Sequence, residues 1–186
     1  KLQSGEVCEC LWKKDDLRVD FVVMKIINWM DLVLKKDKHL DLDILTYPIL
    51  PFDSYGGIIK MVPDSRTIYE IKEHMKFTLQ NYIMDNNRSE TVATVRERFM
   101  KSSAAYSVIT YLLGIGDRHL DNIMVNHQGY LFHIDYEFIL GFDPKPVSPH
   151  MKIIPDMIDA LGGVNSTHFS QFQDLCKVAY NCWRRY

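Results

Sequence analysis

One stretch limits what this chain can fold into more than any other. Residues 114–137 read GIGDRHLDNIMVNHQGYLFHIDYE. Two apolar runs, Asn122 to Val125 and Tyr130 to Ile134, are divided by Asn126-His127-Gln128-Gly129. That pattern predicts a β-hairpin with a glycine-containing turn. Polar residues gather at its two ends: Asp117, His119 and Asn122 before it, Asp135 after it. A long helical pattern, Thr91 to Leu113, runs into the stretch, with Gly114 as its stop. Its charged residues thin out after Lys101, so its second half is predicted to be buried. The Pro-rich run DPKPVSPHMK, 143–152, leads away on the other side.

The remaining elements fall in place around that hairpin. Ser4-Gly5 reads as a turn before a strand that ends at Lys13. Asp15 and Asp16 suit the first turn of a helix, where carboxylates meet free N–H groups and the positive dipole end. That helix is expected to run to about Lys36, with apolar residues on every side and therefore largely buried. Residues 42–51 read as strand material broken at Pro48. Tyr55-Gly56-Gly57 is a turn, and Ile58 to Val62 a second strand that leads into a connector at Pro63-Asp64. Ser65 or Thr67 would cap a helix reaching Met84. Short helical patterns near 155–161 and from His168 to Tyr186 close the chain. The expected fold class is α+β: a small strand-rich half to about residue 62, then a mainly helical half that carries the hairpin.

Composition removes several function classes. With 186 residues, 47% of them hydrophobic, the chain can bury a sizeable core. A formal charge of −2 provides no field to draw the whole chain onto nucleic acid, and no nucleic-acid partner is expected. Four cysteines without zinc-finger spacing read as reduced thiols of a cytosolic protein. The longest apolar run, Phe21 to Leu34, is interrupted by Lys25, Asn28 and Asp31 and is too short and polar for a membrane span. The chain opens on Lys1 rather than methionine, which reads as a piece of a longer protein.

The polar residues of the hairpin carry the chemistry. Asp117 and Asn122 are separated by four residues, and Asp135 follows Asn122 by thirteen positions, past an apolar strand. This order is that of phosphoryl-transfer enzymes: a catalytic-loop Asp, a metal-holding Asn and a second metal-holding Asp at a hairpin end. Transfer of a phosphoryl group needs hard oxygen ligands for Mg²⁺ and an acceptor for the proton of the attacking hydroxyl. Taken singly, each residue reads as readily as a helix cap, an ion pair or a turn.

GIGDRHLDNIMV followed by FHID resembles the catalytic and metal-binding segments of the phosphatidylinositol 3- and 4-kinase superfamily, whose members read Asp-Arg-His where protein kinases read His-Arg-Asp. DDLRVD (15–20) is similar to that family's DDLRQD, and IIKMVPDSRTI (58–68) to the segment linking its lobes. ILGFDPKPVSPHMK with MIDALGG resembles the class III phosphatidylinositol 3-kinases most. The resemblance implies a two-lobed, protein-kinase-like fold, with 1–62 a partial N-lobe including the hinge strand and 63–186 the C-lobe. It implies ATP and Mg²⁺ (or Mn²⁺) as cofactors and phosphatidylinositol at a membrane surface as substrate. By position, Asp117 and His119 would be catalytic, with His119 the base; Arg118 would be structural. Asn122 and Asp135 would hold metal. Met124 and Ile134 would floor the adenine; Ile59, Met61 and Val62 would form the adenine connector, with the Val62 backbone as its hydrogen-bonding partner. Asp20 and Tyr47 would stand at the inner end of the nucleotide pocket. Lys13 would bind phosphate, with Lys14 as the alternative. Lys145 and Lys152 would meet the lipid.

Three departures from that family accompany the match. Its Asp-Phe-Gly reads Asp135-Tyr136-Glu137 here, where Glu137 replaces a residue of wide backbone freedom. A phosphate-binding loop would lie upstream of Lys1, and final helices, one of them membrane-facing, beyond Tyr186. The sparse basic charge of 143–152 suits unphosphorylated phosphatidylinositol; an ordinary rigid surface loop is the plainer reading of the same residues. Regulatory subunits or further domains, and a cytoplasmic location at endosomal or autophagic membranes, are further implications. The alternatives are a catalytically impaired scaffold of the same fold, motivated by Glu137, and a phosphatidylinositol 4-kinase.

Overall fold

A computed structural model describes residues 8–145, 149 and 151–186. The expected turn at Ser4-Gly5, and His150 in the Pro-rich run, lie outside the described residues. Three strands, β1 (Cys10–Lys13), β2 (Ile49–Pro51) and β3 (Gly57–Lys60), form an antiparallel sheet in the order β1-β3-β2. Leu11 and Ile49 both pair with Ile59 across it. A second sheet, β4-β5-β6, joins β4 (Ser65–Thr67) to the hairpin of β5 (Ile123–Asn126) and β6 (Leu131–His133). Met124 faces Phe132 across that hairpin, as the apolar spacing demands. The protein is an α+β fold, because among the described residues five α-helices and a π-helical turn (Glu70–His74) surround these sheets.

The longest helices are α1 (Arg18–Lys38) and α3 (Val92–Leu112). Thr91 caps α3 by accepting the N–H of Thr94 at 3.2 Å, and Gly114, at φ +54°, turns the chain out of it. As expected, residues 102–110 of α3 are buried throughout. They carry the hairpin: the Ser102 hydroxyl accepts the N–H of Leu131 at 3.0 Å, and Tyr106 stacks on His133 at 5.3 Å. Below α3 lies α5 (Thr167–Trp183), capped by Ser166 through the N–H of Phe169. Trp183 at its end donates to the Met30 carbonyl of α1 at 2.8 Å, tying the first long helix to the last. No helix among the described residues is long and apolar enough to cross a membrane. All four cysteines carry free thiols.

The structure corrects four expectations about elements. Asp15 and Asp16 precede α1 rather than occupy its first turn; Asp16 binds the Arg18 N–H and guanidinium, and Asp20 is the first-turn acid. Nor is α1 buried all round, since Val22, Trp29 and Leu32 remain 52%, 48% and 65% exposed. Residues 42–51 yield only the three-residue β2, while Leu42 and Tyr47 turn into the core from irregular chain. The single helix expected up to Met84 does not form. Ser65–Thr67 pairs instead with β5, whose edge offers backbone partners that no local pattern reveals. Thr67 does accept the N–H of Glu70 at 3.0 Å, but it opens the π-helical turn, and Thr78 caps a separate helix, α2 (Leu79–Asn86).

Candidate active site

A cleft of about 360 Å³ opens between the two sheets. One wall is β1 and the chain from Ile59 to Val62; the other is the hairpin, through Met124, Phe132 and Ile134. All eight residues expected around a nucleotide line it: Lys13, Asp20, Tyr47, Ile59, Met61, Val62, Met124 and Ile134. Lys13, the last residue of β1, faces the cleft, whereas Lys14, past the end of the strand, is exposed and does not line it. The Val62 carbonyl accepts the Ser65 hydroxyl at 2.7 Å and keeps a second lone pair. Leu11, Ser65, Thr67 and Phe132 also line the cleft, and the sequence reading missed them. Two had a signal: Leu11 lies two residues before Lys13, and Phe132 two before Ile134, so each shares a strand face with an expected residue. Ser65 and Thr67 carry none, because β4 exists only through its pairing with β5.

Charge collects at one end of the cleft. The Lys13 ammonium is 3.0 Å from Asp15 and 3.5 Å from Asp135. Burial works against its charge, but the Asp15 hydrogen bond and the nearby Asp135 and Asp20 charges outweigh it, so its pKa is raised. Asp20 is buried and accepts the Tyr136 N–H at 3.0 Å. Burial raises its carboxyl, against the lowering effect of that N–H, and the charge of Asp135 adds to the rise. Tyr47 donates to the His133 carbonyl at 3.2 Å and so supports the end of β6 from below.

Arg118 joins this cleft to the loop before the hairpin. Its guanidinium, in a residue only 9% exposed, donates to Gly116 O and Ile134 O, both at 2.8 Å, and to Asp135 O. A longer bond reaches Asn122 O at 3.5 Å. The planar fork is suited to several carbonyls at once, and its structural role matches the expectation from the sequence. In consequence Asp117, Asn122 and Asp135 hang from one network. Asp117 and Asp135 both take left-handed backbone, φ +52° and +61°, which is uncommon outside glycine and marks a constrained site. Glu137 is exposed and is not among the described residues with left-handed backbone, so this fold does not call for glycine's freedom there.

His119 Nε2 lies 3.4 Å from Asp117 Oδ2. Its Nδ1 accepts the Asp121 N–H at 3.2 Å, which leaves Nε2 as the ring nitrogen that faces Asp117. Asn122 donates its amide N–H to Asp117 O at 2.9 Å, which fixes its side-chain oxygen as the group left for a ligand. Asp135 keeps 39% of its side chain exposed. An amide oxygen and a carboxylate are hard donors that fit Mg²⁺, provided phosphate oxygens and water complete the shell. Among the described residues no cluster of three His, Cys, Asp or Glu side chains could hold a metal by itself. Of the two loop lysines, Lys145 reaches the site, 3.5 Å from Asp117 Oδ1; Lys152 is half-buried.

Known proteins share much of this sequence. Residues 10–186 match the family described as phosphatidylinositol 3- and 4-kinase. The chain is 41% identical, over 98% of its length, to the phosphatidylinositol 3-kinase VPS34 of Arabidopsis thaliana. It is 40% identical over 98% of its length to the root isoform of phosphatidylinositol 3-kinase from Glycine max, and 39% over 92% to VPS34 of Saccharomyces cerevisiae. It covers 23%, 23% and 20% of those relatives, or about a quarter of their length at most. With a match spanning nearly every residue, and with the family's polar segments assembled on one hairpin, this chain belongs to the phosphatidylinositol 3- and 4-kinase family.

Proposed function

We propose that this chain is the catalytic part of a lipid kinase that moves the γ-phosphoryl group of ATP to the 3-hydroxyl of phosphatidylinositol. One observation carries the reading. The eight residues expected around a nucleotide, together with Asp135, surround a single cleft, and Arg118 ties that cleft to Asp117, His119 and Asn122. Adenine would lie between Ile59–Val62 and the floor of Met124 and Ile134, with the Val62 backbone as its polar contact. Its phosphates would run toward Lys13. Mg²⁺, held by Asn122 and Asp135, would neutralise phosphate charge as it shifts. The Asp117–His119 pair would take the proton of the inositol hydroxyl as its oxygen bonds to phosphorus and the bond to the β-phosphate oxygen breaks. Lys145, beside Asp117, would meet the lipid headgroup; Lys152 would act further along the loop.

In this reading residues 1–62 belong to an N-lobe and 63–186 to a C-lobe. The enzyme works at the surface of intracellular membranes, with regulatory subunits or further domains of the longer protein. The test uses the complete parent protein with ATP, Mg²⁺ and phosphatidylinositol vesicles. Phosphatidylinositol 3-phosphate is the expected product, lost in Asp135→Ala. A 4-phosphate product would place the protein among the 4-kinases. Mg²⁺-dependent ATP binding without any product would assign it to the scaffold class.

A further inference from the structure

We propose that Asp143 is a positioning residue that fixes residues 143–145, at the start of the Pro-rich run, against the catalytic loop, acting through Asp117 and Lys145. Its role goes one step beyond the lipid-kinase reading and rests on it. The carboxylate bridges two segments: Oδ2 accepts the Asp117 N–H at 3.0 Å, and Oδ1 accepts the Lys145 N–H at 2.8 Å. Bonds of this charge-assisted kind are about twice as strong as neutral ones. The first bond holds the amide of a residue in left-handed backbone, φ +52°, where a non-glycine residue needs outside support. The second fixes the main chain of Lys145, whose ammonium turns back to 3.5 Å from Asp117 Oδ1. One carboxylate therefore orients both Asp117, the expected partner of the base His119, and the expected headgroup contact.

The tight docking of this corner is visible independently at Gly116. A Cβ built there would stand 2.3 Å from Phe142 O and 2.9 Å from Asp143 Oδ2, so the side chain has been given up to let Asp143 approach. Backbone bonds run alongside: Gly116 N–H to Phe138 O at 2.8 Å, and Gly141 N–H to Gly114 O at 2.9 Å. With its neighbours anchored in this way, loss of the carboxylate would release the Asp117 amide and the Lys145 turn without unpicking the cleft wall, whose residues come from other strands.

The experiment compares Asp143→Ala and Asp143→Asn with wild type in the complete parent protein. Alanine removes both acceptors; asparagine keeps one oxygen and loses the charge. For Asp143→Ala, kcat/KM for phosphatidylinositol vesicles is expected to fall about 10- to 100-fold, the scale of one or two charge-assisted hydrogen bonds. KM for ATP should move less than about twofold, and asparagine should recover part of the loss. Equal losses for lipid and ATP, or no loss for either, would overturn the proposal. Amide exchange read by mass spectrometry tests the anchor without turnover. Asp143→Ala should raise exchange in a peptide over 114–122 at least tenfold and leave 123–133 unchanged. Unchanged exchange in 114–122 overturns the proposal even if the protein proves not to phosphorylate lipid, whereas raised exchange without lipid phosphorylation by wild type would sink only the lipid-kinase reading.

Discussion

Replacement of Arg118 offers the most direct test of how the site is held. Arg118→Met keeps much of the apolar stem and removes the fork. Four carbonyls then lose a donor at once: Gly116, Ile134 and Asp135, and Asn122 at the longer distance of 3.5 Å. Leaving a buried acceptor unsatisfied costs about 1–3 kcal/mol. Against the sum stands the desolvation of the guanidinium itself, whose pKa burial lowers even with Tyr136, Asp135 and Asp117 nearby. A net loss of about 3 kcal/mol is the expected balance. Because each 1.4 kcal/mol is a factor of ten, amides of 117–122 and 134–136 should exchange roughly 100-fold faster. Native-state hydrogen exchange on the complete protein measures this by segment. Arg118→Lys keeps the charge but cannot span these carbonyls, so it should fall between methionine and wild type. A methionine variant within about threefold of wild type would refute the network as the support of the loop. A lysine variant equal to wild type would refute the geometric argument and leave only charge.

Two further outcomes follow from the same corner of the molecule. Gly116→Ala must push its new Cβ against Phe142 O at 2.3 Å, so overpacking of about 1–3 kcal/mol is expected, measured as a lower unfolding midpoint in urea; an unchanged midpoint would contradict the close approach. His133 is fully buried, and burial together with the Arg118 charge pushes its pKa well below the ordinary 6.5. Below pH 6.5 the unfolded chain binds this proton and the folded chain does not, so stability falls by about 1.4 kcal/mol per pH unit on acidification. His133→Phe should keep the stack on Tyr106 and flatten the slope between pH 6.5 and 5.5 in urea titrations; an unchanged slope would mean that His133 charges inside the fold.

What was legible in the sequence was local or strictly periodic. The helix ending at Gly114, the hairpin of Ile123–Asn126 and Leu131–His133, and the polar residues at its ends follow from spacing alone. The expected cleft residues could be named only because the chain resembles a known family, position by position. Tertiary structure decided the rest. Ser65–Thr67 became a strand because the β5 edge needed partners, and Val22, Trp29 and Leu32 of α1 stayed exposed because only one side of that helix meets the core. The bridge of Asp143 between Asp117 and Lys145 spans 26 residues on one side and two on the other. No period in the sequence announces it, since hydrogen bonding between loops depends on where the chain returns in space. The sequence by itself determined which groups the site contains. Packing alone decided which of them touch, because Asp143 bonds the left-handed residue Asp117 and Arg118 bonds the left-handed residue Asp135 across long gaps in the chain.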